Sequence, residues 1–174
     1  WLDTNNIERT KNGIYLNPAS SEVLDYITKG LKELCENYDI KGVIYDDYFY
    51  PSDTIDLENY EATDKSMTLK EYRLNNINNL LKESYETIKS VNEDLKFGIS
   101  PAGNIENNLD LEYLDVKHII GEDYLDLIIP QLYYGFNNSS KPYINTLESW
   151  AELNTLGKDF YVALSLYKSG KVDQ

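Results

Sequence analysis

The stretch Tyr38-Asp39-Ile40-Lys41-Gly42-Val43-Ile44-Tyr45-Asp46-Asp47-Tyr48-Phe49-Tyr50-Pro51 decides how the chain is read. A short β-prone run, Lys41–Tyr45, leads directly into two carboxylates and then three aromatic residues. Consecutive Val, Ile and Tyr suit a strand buried on both faces, as in a parallel sheet. Side chains alternate across a strand, so Gly42, Ile44 and Asp46 share one face and Val43, Tyr45 and Asp47 the other. Only one of the two acids faces a pocket at the strand end while the strand persists. Asp46 is the one expected there, with Asp47 orienting a neighbour or capping the loop. Carboxyls held this close raise a pKa, which suits acid–base chemistry.

Working outward, short apolar runs alternate with helical periodicity. Gly13–Leu16 reads as a strand ending at Asn17-Pro18. Ser20 or Ser21 then caps a helix in which Val23, Leu24, Ile27, Leu31, Leu34, Cys35 and Tyr38 recur at helical spacing. Beyond the acids, residues 48–67 form a long acidic loop, a feature usually tied to function or disorder. Thr68-Leu69-Lys70-Glu71 is a capping box, opening a helix that carries Leu74, Ile77, Leu81, Tyr85, Ile88 and Val91. Leu95–Ile99 reads as a strand ending in Ser100-Pro101, and Leu109–Ile120 as helical. Asp126–Leu132 reads as a strand, Tyr143–Leu153 as a helix, and Phe160–Leu166 as a last strand running into Lys168-Ser169-Gly170.

This alternation predicts a parallel sheet with helices outside, in one domain over residues 1–174. Successive strand ends are spaced about as a βαβ unit of roughly 30 residues requires, apart from the long loop. A complete (β/α)8 TIM barrel has eight strands and ~250 residues. Five strands therefore make part of a barrel or a smaller open sheet, and the two outer strands lack neighbours.

With 41% hydrophobic residues among 174, the chain can build a core. Its formal net charge of −14 disfavours nucleic acid and anionic lipid as partners. Cys35 stands alone, so neither an internal disulfide nor a cysteine zinc cluster is expected. No apolar run reaches the ~18 residues of a membrane span. The chain opens on Trp1 with neither initiator methionine nor signal segment, as a trimmed or excerpted sequence would. His118 is the only histidine and is read as surface or core, which leaves a histidine-based metal site unsupported. There is no phosphate-binding glycine loop and no G-x-S-x-G elbow. No metal and no cofactor is called for.

In parallel α/β proteins chemistry gathers at the C-terminal strand ends. Those ends carry Asn17, Asp46, Asp47, Ser100, Gln131 and Tyr133, although polar residues also open loops for no functional reason. Two carboxyls are the usual equipment of glycoside hydrolysis. Asp46 takes either role. Asp47, Glu106 after Ser100-Pro101, or an acid from another strand supplies the second. Asn17, Ser100, Gln131 and Tyr133 suit sugar hydroxyls, while Tyr48, Phe49 and Tyr50 suit stacking on a sugar face. Glu122, Asp123 and Asp126 precede a strand and are read as structural. A third reading places magnesium at Asp46-Asp47.

The blocks Tyr15-Leu16-Asn17-Pro18, Tyr38–Pro51, Phe97-Gly98-Ile99-Ser100-Pro101 and Ile129-Pro130-Gln131-Leu132-Tyr133 resemble, in order, those of the glycosyl-hydrolase-like family 10. Trp1, Arg73 and Asn76 to Asn78 fit the same pattern. Lys41 departs from it, standing where the family usually has an acid. The resemblance implies a (β/α)8 barrel, of which this chain covers approximately strands three to seven, the remaining strands lying outside it. It also implies a bacterial, extracellular or wall-attached setting, and hydrolysis or lytic cleavage of glycan strands, peptidoglycan above all. The alternative function is a non-catalytic carbohydrate-binding barrel.

Overall fold

The computed structural model describes residues 6–10, 13–154 and 156–168. Trp1 and the Ser169-Gly170 that follow the last expected strand lie outside them. The architecture is mixed α/β. A four-stranded parallel sheet runs in the order β3 (Gly42–Tyr45), β4 (Lys96–Ile99), β5 (Leu127–Ile128), β6 (Asp159–Phe160). Before it comes a hairpin of β1 (Ile7–Thr10) and β2 (Gly13–Leu16), and helices α1 (Ser21–Asn37) and α3 (Leu69–Val91) pack on one another.

The register shows which face is which. Val43 pairs with Phe97 and Tyr45 with Ile99, and Ile99 in turn aligns with Ile128, which aligns with Phe160. These residues share one face, and all belong to the core formed with Ile77, Leu81 and Ile88 of α3, Ile119, Ile120 and Trp150. Tyr45 meets Phe97 edge-on at 5.1 Å, and burial pushes the Tyr45 phenol up to about 12, although its bond to Ser84 opposes this. The other face carries Gly42, Ile44, Gly98 and Leu127, and there Ile44 is 51% exposed. Glycine serves close strand contact on this side: a Cβ at Gly98 would lie 2.5 Å from the Leu127 side chain.

Helix ends follow the sequence. Ser20 accepts from the Val23 amide, and Thr68 and Glu71 complete a reciprocal box. Four expectations are corrected. Gly13–Leu16 does not join the parallel sheet; it pairs antiparallel with β1, so the sheet has four strands among the described residues. A neighbour a few residues away is the cheapest partner in loop entropy, and Asn17 extends the pairing by donating its amide to the Asn6 carbonyl. Leu109–Ile120 is two helices, α4 (Ile105–Leu111) and α5 (Val116–Gly121), broken where Tyr113 adopts φ 50° and Asp115 caps the second. The long loop contains a short helix, α2 (Leu57–Glu61). In the last two strands, pairing is interrupted and returns at Gln131, bridged to Ala102 and Ala163, after which Leu166–Lys168 turns as a 3-10 helix. Pro130 has no N–H to continue the ladder. The helix α6 (Tyr143–Leu153) falls where expected.

At the opposite, N-terminal end of the sheet, Asp126 accepts from the Phe97 amide and from Lys89. Asp123 pairs with Lys158, and Glu122 lies 3.8 Å from His118 on the surface.

Candidate active site

Just past the C-terminal end of β3 stand Asp46 and Asp47, which line one groove with Ile44 and Tyr48. Asp46 is exposed. Its Oδ1 accepts from the Gln131 side-chain amide at 2.7 Å and from the Asp47 backbone at 2.9 Å. Gln131 comes from the end of β5, and its Nε2 also donates to the Ser100 carbonyl at 3.0 Å. Ser100, past β4, takes the Tyr45 carbonyl through its amide and donates its hydroxyl to Ile129. Three strand ends are thereby tied together beneath one exposed carboxylate. Gly103 supports this: a Cβ there would lie 2.4 Å from the Gln131 carbonyl, and its own carbonyl takes the Trp150 indole N–H at 2.8 Å.

Asp47 is half-buried. Desolvation raises its pKa, opposed by hydrogen bonds from the Tyr48 and Ala102 amides, while the Asp46 charge reinforces it. Tyr48 has φ 83°, a left-handed conformation that costs an aromatic residue about 1–2 kcal/mol, and its ring is 79% exposed. Such strain concentrates at functional sites. Burial raises the phenol of half-buried Tyr133, and the nearby Asp46 carboxylate raises it further.

The other expected residues lie elsewhere. Asn17 is fully buried, its carbonyl oxygen holding the Ala19 amide and its Nδ2 donating to Asn59, so it builds the turn between β2 and α1 and is closed to solvent. Tyr50 is 5% exposed and Phe49 is buried, so the expected three-residue platform reduces to Tyr48. The Tyr50 hydroxyl donates to Asp56 at 2.7 Å, and burial with that carboxylate raises its pKa strongly. Glu106 stands exposed at the start of α4 and pairs with Lys141 at 2.8 Å, which lowers its pKa. It does not line the groove that Asp46 and Asp47 share.

Three features escaped the sequence reading. Glu112 accepts the Tyr50 amide at 2.9 Å, and burial raises its pKa. Nothing marks it within a polar helical run. Arg73 forms a buried pair with Asp56 at 2.8 Å and donates to Tyr113 and the Asp53 carbonyl, fixing the long loop. The periodicity of α3 gives Arg73 a position and no partner. Tyr167, exposed, follows the last strand. Among the described residues no group of three or more His, Cys, Asp or Glu side chains is placed to hold a metal ion, which leaves the magnesium reading with two adjacent carboxylates. Nor is any helix there long and apolar enough to cross a membrane.

The family model for glycosyl hydrolase-like 10 matches residues 2–170. Among curated proteins, glycosyl hydrolase YngK of Bacillus subtilis is 32% identical over 181 residues, an alignment covering 90% of this chain and 35% of that protein. Glycosyl hydrolase DigH of Escherichia coli K12 is 31% identical over 176 residues, covering 90% of this chain and 40% of that protein. The chain thus spans between a third and two fifths of these relatives. By the match over nearly all its length, the chain belongs to the glycosyl hydrolase-like 10 family.

Proposed function

We propose that this chain is the segment of a (β/α)8-barrel glycosidase that carries its reactive carboxylate, and that the protein cleaves a bacterial glycan, peptidoglycan strands being the substrate, outside the cytoplasm. The observation that carries this is the exposed Asp46 carboxylate, held by Gln131 at the C-terminal end of a parallel sheet, on a groove it lines with Asp47 and Tyr48. Asp46 acts as nucleophile or base at the sugar carbon. The Gln131 and Asp47 amides both donate to its Oδ1, which leaves Oδ2 the better placed for substrate. Asp47, whose burial favours the protonated form, supplies the proton the leaving oxygen needs. Glu106, ionised beside Lys141, is the other candidate for the second carboxyl. Tyr48 and Tyr133 stack on sugar rings, and Ser100 orders Gln131 from below.

The Asp46→Asn variant of the full-length protein keeps its fold and loses at least about 10³-fold in release of new reducing ends from purified peptidoglycan, a loss of the size that removal of a nucleophile produces. Undiminished release overturns the assignment. One observation favours a second reading, a glycan-binding barrel without catalysis: the acids near Asp46 are either half-buried, as Asp47 is, or paired with a lysine, as Glu106 is. Retention of native protein on peptidoglycan with neither reducing nor anhydro ends appearing selects that reading.

A further inference from the structure

Ile44 on β3 and Tyr161, Leu164 and Leu166 after β6 are exposed on the outer strands of the sheet, where a closing barrel would cover them. Phe136 has no such explanation. It is 66% exposed on the loop that leaves β5, and β5 is flanked by β4 and β6. An exposed hydrophobic residue is ordinary by itself; support and place set this one apart. The Gly135 carbonyl accepts the Asn138 amide at 3.3 Å and the Tyr143 amide at 3.1 Å. The Asn138 side-chain oxygen accepts the Ser140 and Lys141 amides at 3.1 and 2.8 Å. Lys141 pairs with Glu106 at 2.8 Å, which joins the loop to α4. Tyr143, packed against the core at the start of α6, backs the Phe136 ring, with centroids 5.3 Å apart and planes at 60°. The ring is therefore presented by an ordered support, and little freedom remains to be lost on binding.

The place is the end of the sheet that carries Asp46. Phe136 follows Gln131, which holds Asp46, in the same segment, and five residues span at most about 18 Å. One polymeric strand can therefore touch the carboxylate and the ring together. We propose that Phe136 is a sugar-stacking subsite outside the cleavage centre, gripping one ring of the glycan strand whose scissile bond lies at Asp46. The inference rests on the glycosidase reading for the identity of its ligand and on the tied loop for its geometry. The flat face of an aromatic ring suits the C–H face of a sugar. Around it Asn137, Ser139 and Ser140 are exposed and polar, which suits sugar hydroxyls. A protein partner would instead call for a wider apolar centre.

The test gives the full-length protein two substrates: purified long peptidoglycan strands, and the shortest soluble fragment of them that the native protein cleaves. Phe136→Ala keeps the native fold, because most of the ring is in solvent. It loses about three- to tenfold in kcat/KM on long strands, the range an aromatic contact supplies, and the loss falls on KM. On the shortest fragment the loss is smaller, since a strand that ends before the loop never meets the ring. Phe136→Tyr restores the long-strand value, whereas Phe136→Leu, apolar without a flat face, does not. An equal loss on both substrates overturns the proposal, as does no loss on long strands or full rescue by leucine. A native dimer that Phe136→Ala turns into a monomer with glycan affinity intact also overturns it, because the ring is then a contact between copies. Retention of the Asp46→Asn protein on insoluble peptidoglycan, with and without Phe136→Ala, reads the same contact in the absence of cleavage. If the native protein releases no ends, the glycosidase reading fails by itself, and retention still decides whether Phe136 grips glycan.

Discussion

Asp46 and Asp47 are neighbours in sequence with opposite environments, and the strand's two-residue period is the reason. Alternation groups Asp46 with Ile44 and Asp47 with Tyr45, and in the fold Asp46 is exposed while Asp47 is half-buried. The consequence for Asp47 is measurable. Its raised pKa means that the folded state keeps a proton that the unfolded chain releases near pH 4. Between those two values the native state binds more protons, so stability falls as pH rises. Asp47→Asn mimics the protonated form, retains an acceptor for the Tyr48 amide, and removes that slope. Its Tm therefore exceeds that of the native protein at pH 7, and the gap closes toward pH 4. Calorimetry across that range checks the sign, and a native Tm equal or higher at pH 7 would contradict it. Gln131 and Ser100 were legible on the same grounds as Asp46, as polar tips of apolar strands. Tyr50 was not: three successive aromatics carry no signal for which ring turns inward, and the Asp56 hydroxyl acceptor that draws it there is set by tertiary packing.

At the scale of elements, the long loop is the part that sequence described least well and the structure fixes most firmly. Its polar, acidic composition reads as a solvated excursion, yet Asp56 is fully buried against Arg73. A charge that looks like surface decoration becomes core only when an opposite charge arrives from the next helix, and α3 gives no sign of this beyond an arginine at one helical position. Removing one partner leaves the other buried and unpaired, so Arg73→Ala costs about 3–5 kcal/mol in denaturant unfolding. The double change Arg73→Met with Asp56→Leu costs clearly less, since no orphaned charge remains. Hydrogen exchange over residues 48–67 should rise in the single variant. Gly103 links the same scale to the site. The Cβ of Gly103→Ala would press on the Gln131 carbonyl at 2.4 Å and on Tyr134 at 2.9 Å. Overpacking of this kind costs about 1–3 kcal/mol, and the displaced Gln131 loses its hold on Asp46, so stability and cleavage fall together. The hairpin was misread for a related reason: Gly13–Leu16 has the composition of a buried strand, and composition does not say that a second strand, Ile7–Thr10, lies a turn away.

At the scale of the whole molecule, the parallel sheet packs one face on helices, while its other face is buried at Gly98 and Leu127 and open at Ile44. Its helix-facing residues, Val43, Tyr45, Phe97, Ile99, Ile128 and Phe160, belong to one core, whereas Ile44 on the other face is half in solvent beside glycines at positions 42 and 98. Among the described residues β3 is an edge, and a groove of about 420 Å³ runs along it from the apolar Ile14, Val23, Ile27 and Ile44 to Asp46, Asp47 and Tyr48. Edges with apolar flanks are ordinarily paired or covered, and in a barrel the face bearing Ile44 becomes the interior, filled by layers of branched side chains. Alternation of strands and helices made the parallel sheet legible; closure was not, because four paired strands leave an open sheet and a barrel equally possible on pattern alone. The Ile44→Glu substitution separates the two geometries. In the described chain the side chain is about half exposed, and a surface change of this sort stays within about 0.5 kcal/mol. Inside a closed barrel the same carboxylate would be buried without a partner, and the full-length protein would lose several kcal/mol or fail to fold. Chemical denaturation of the full-length Ile44→Glu protein decides the matter: a large loss supports closure, and a loss no greater than a surface substitution gives means that this face meets solvent and the barrel reading falls.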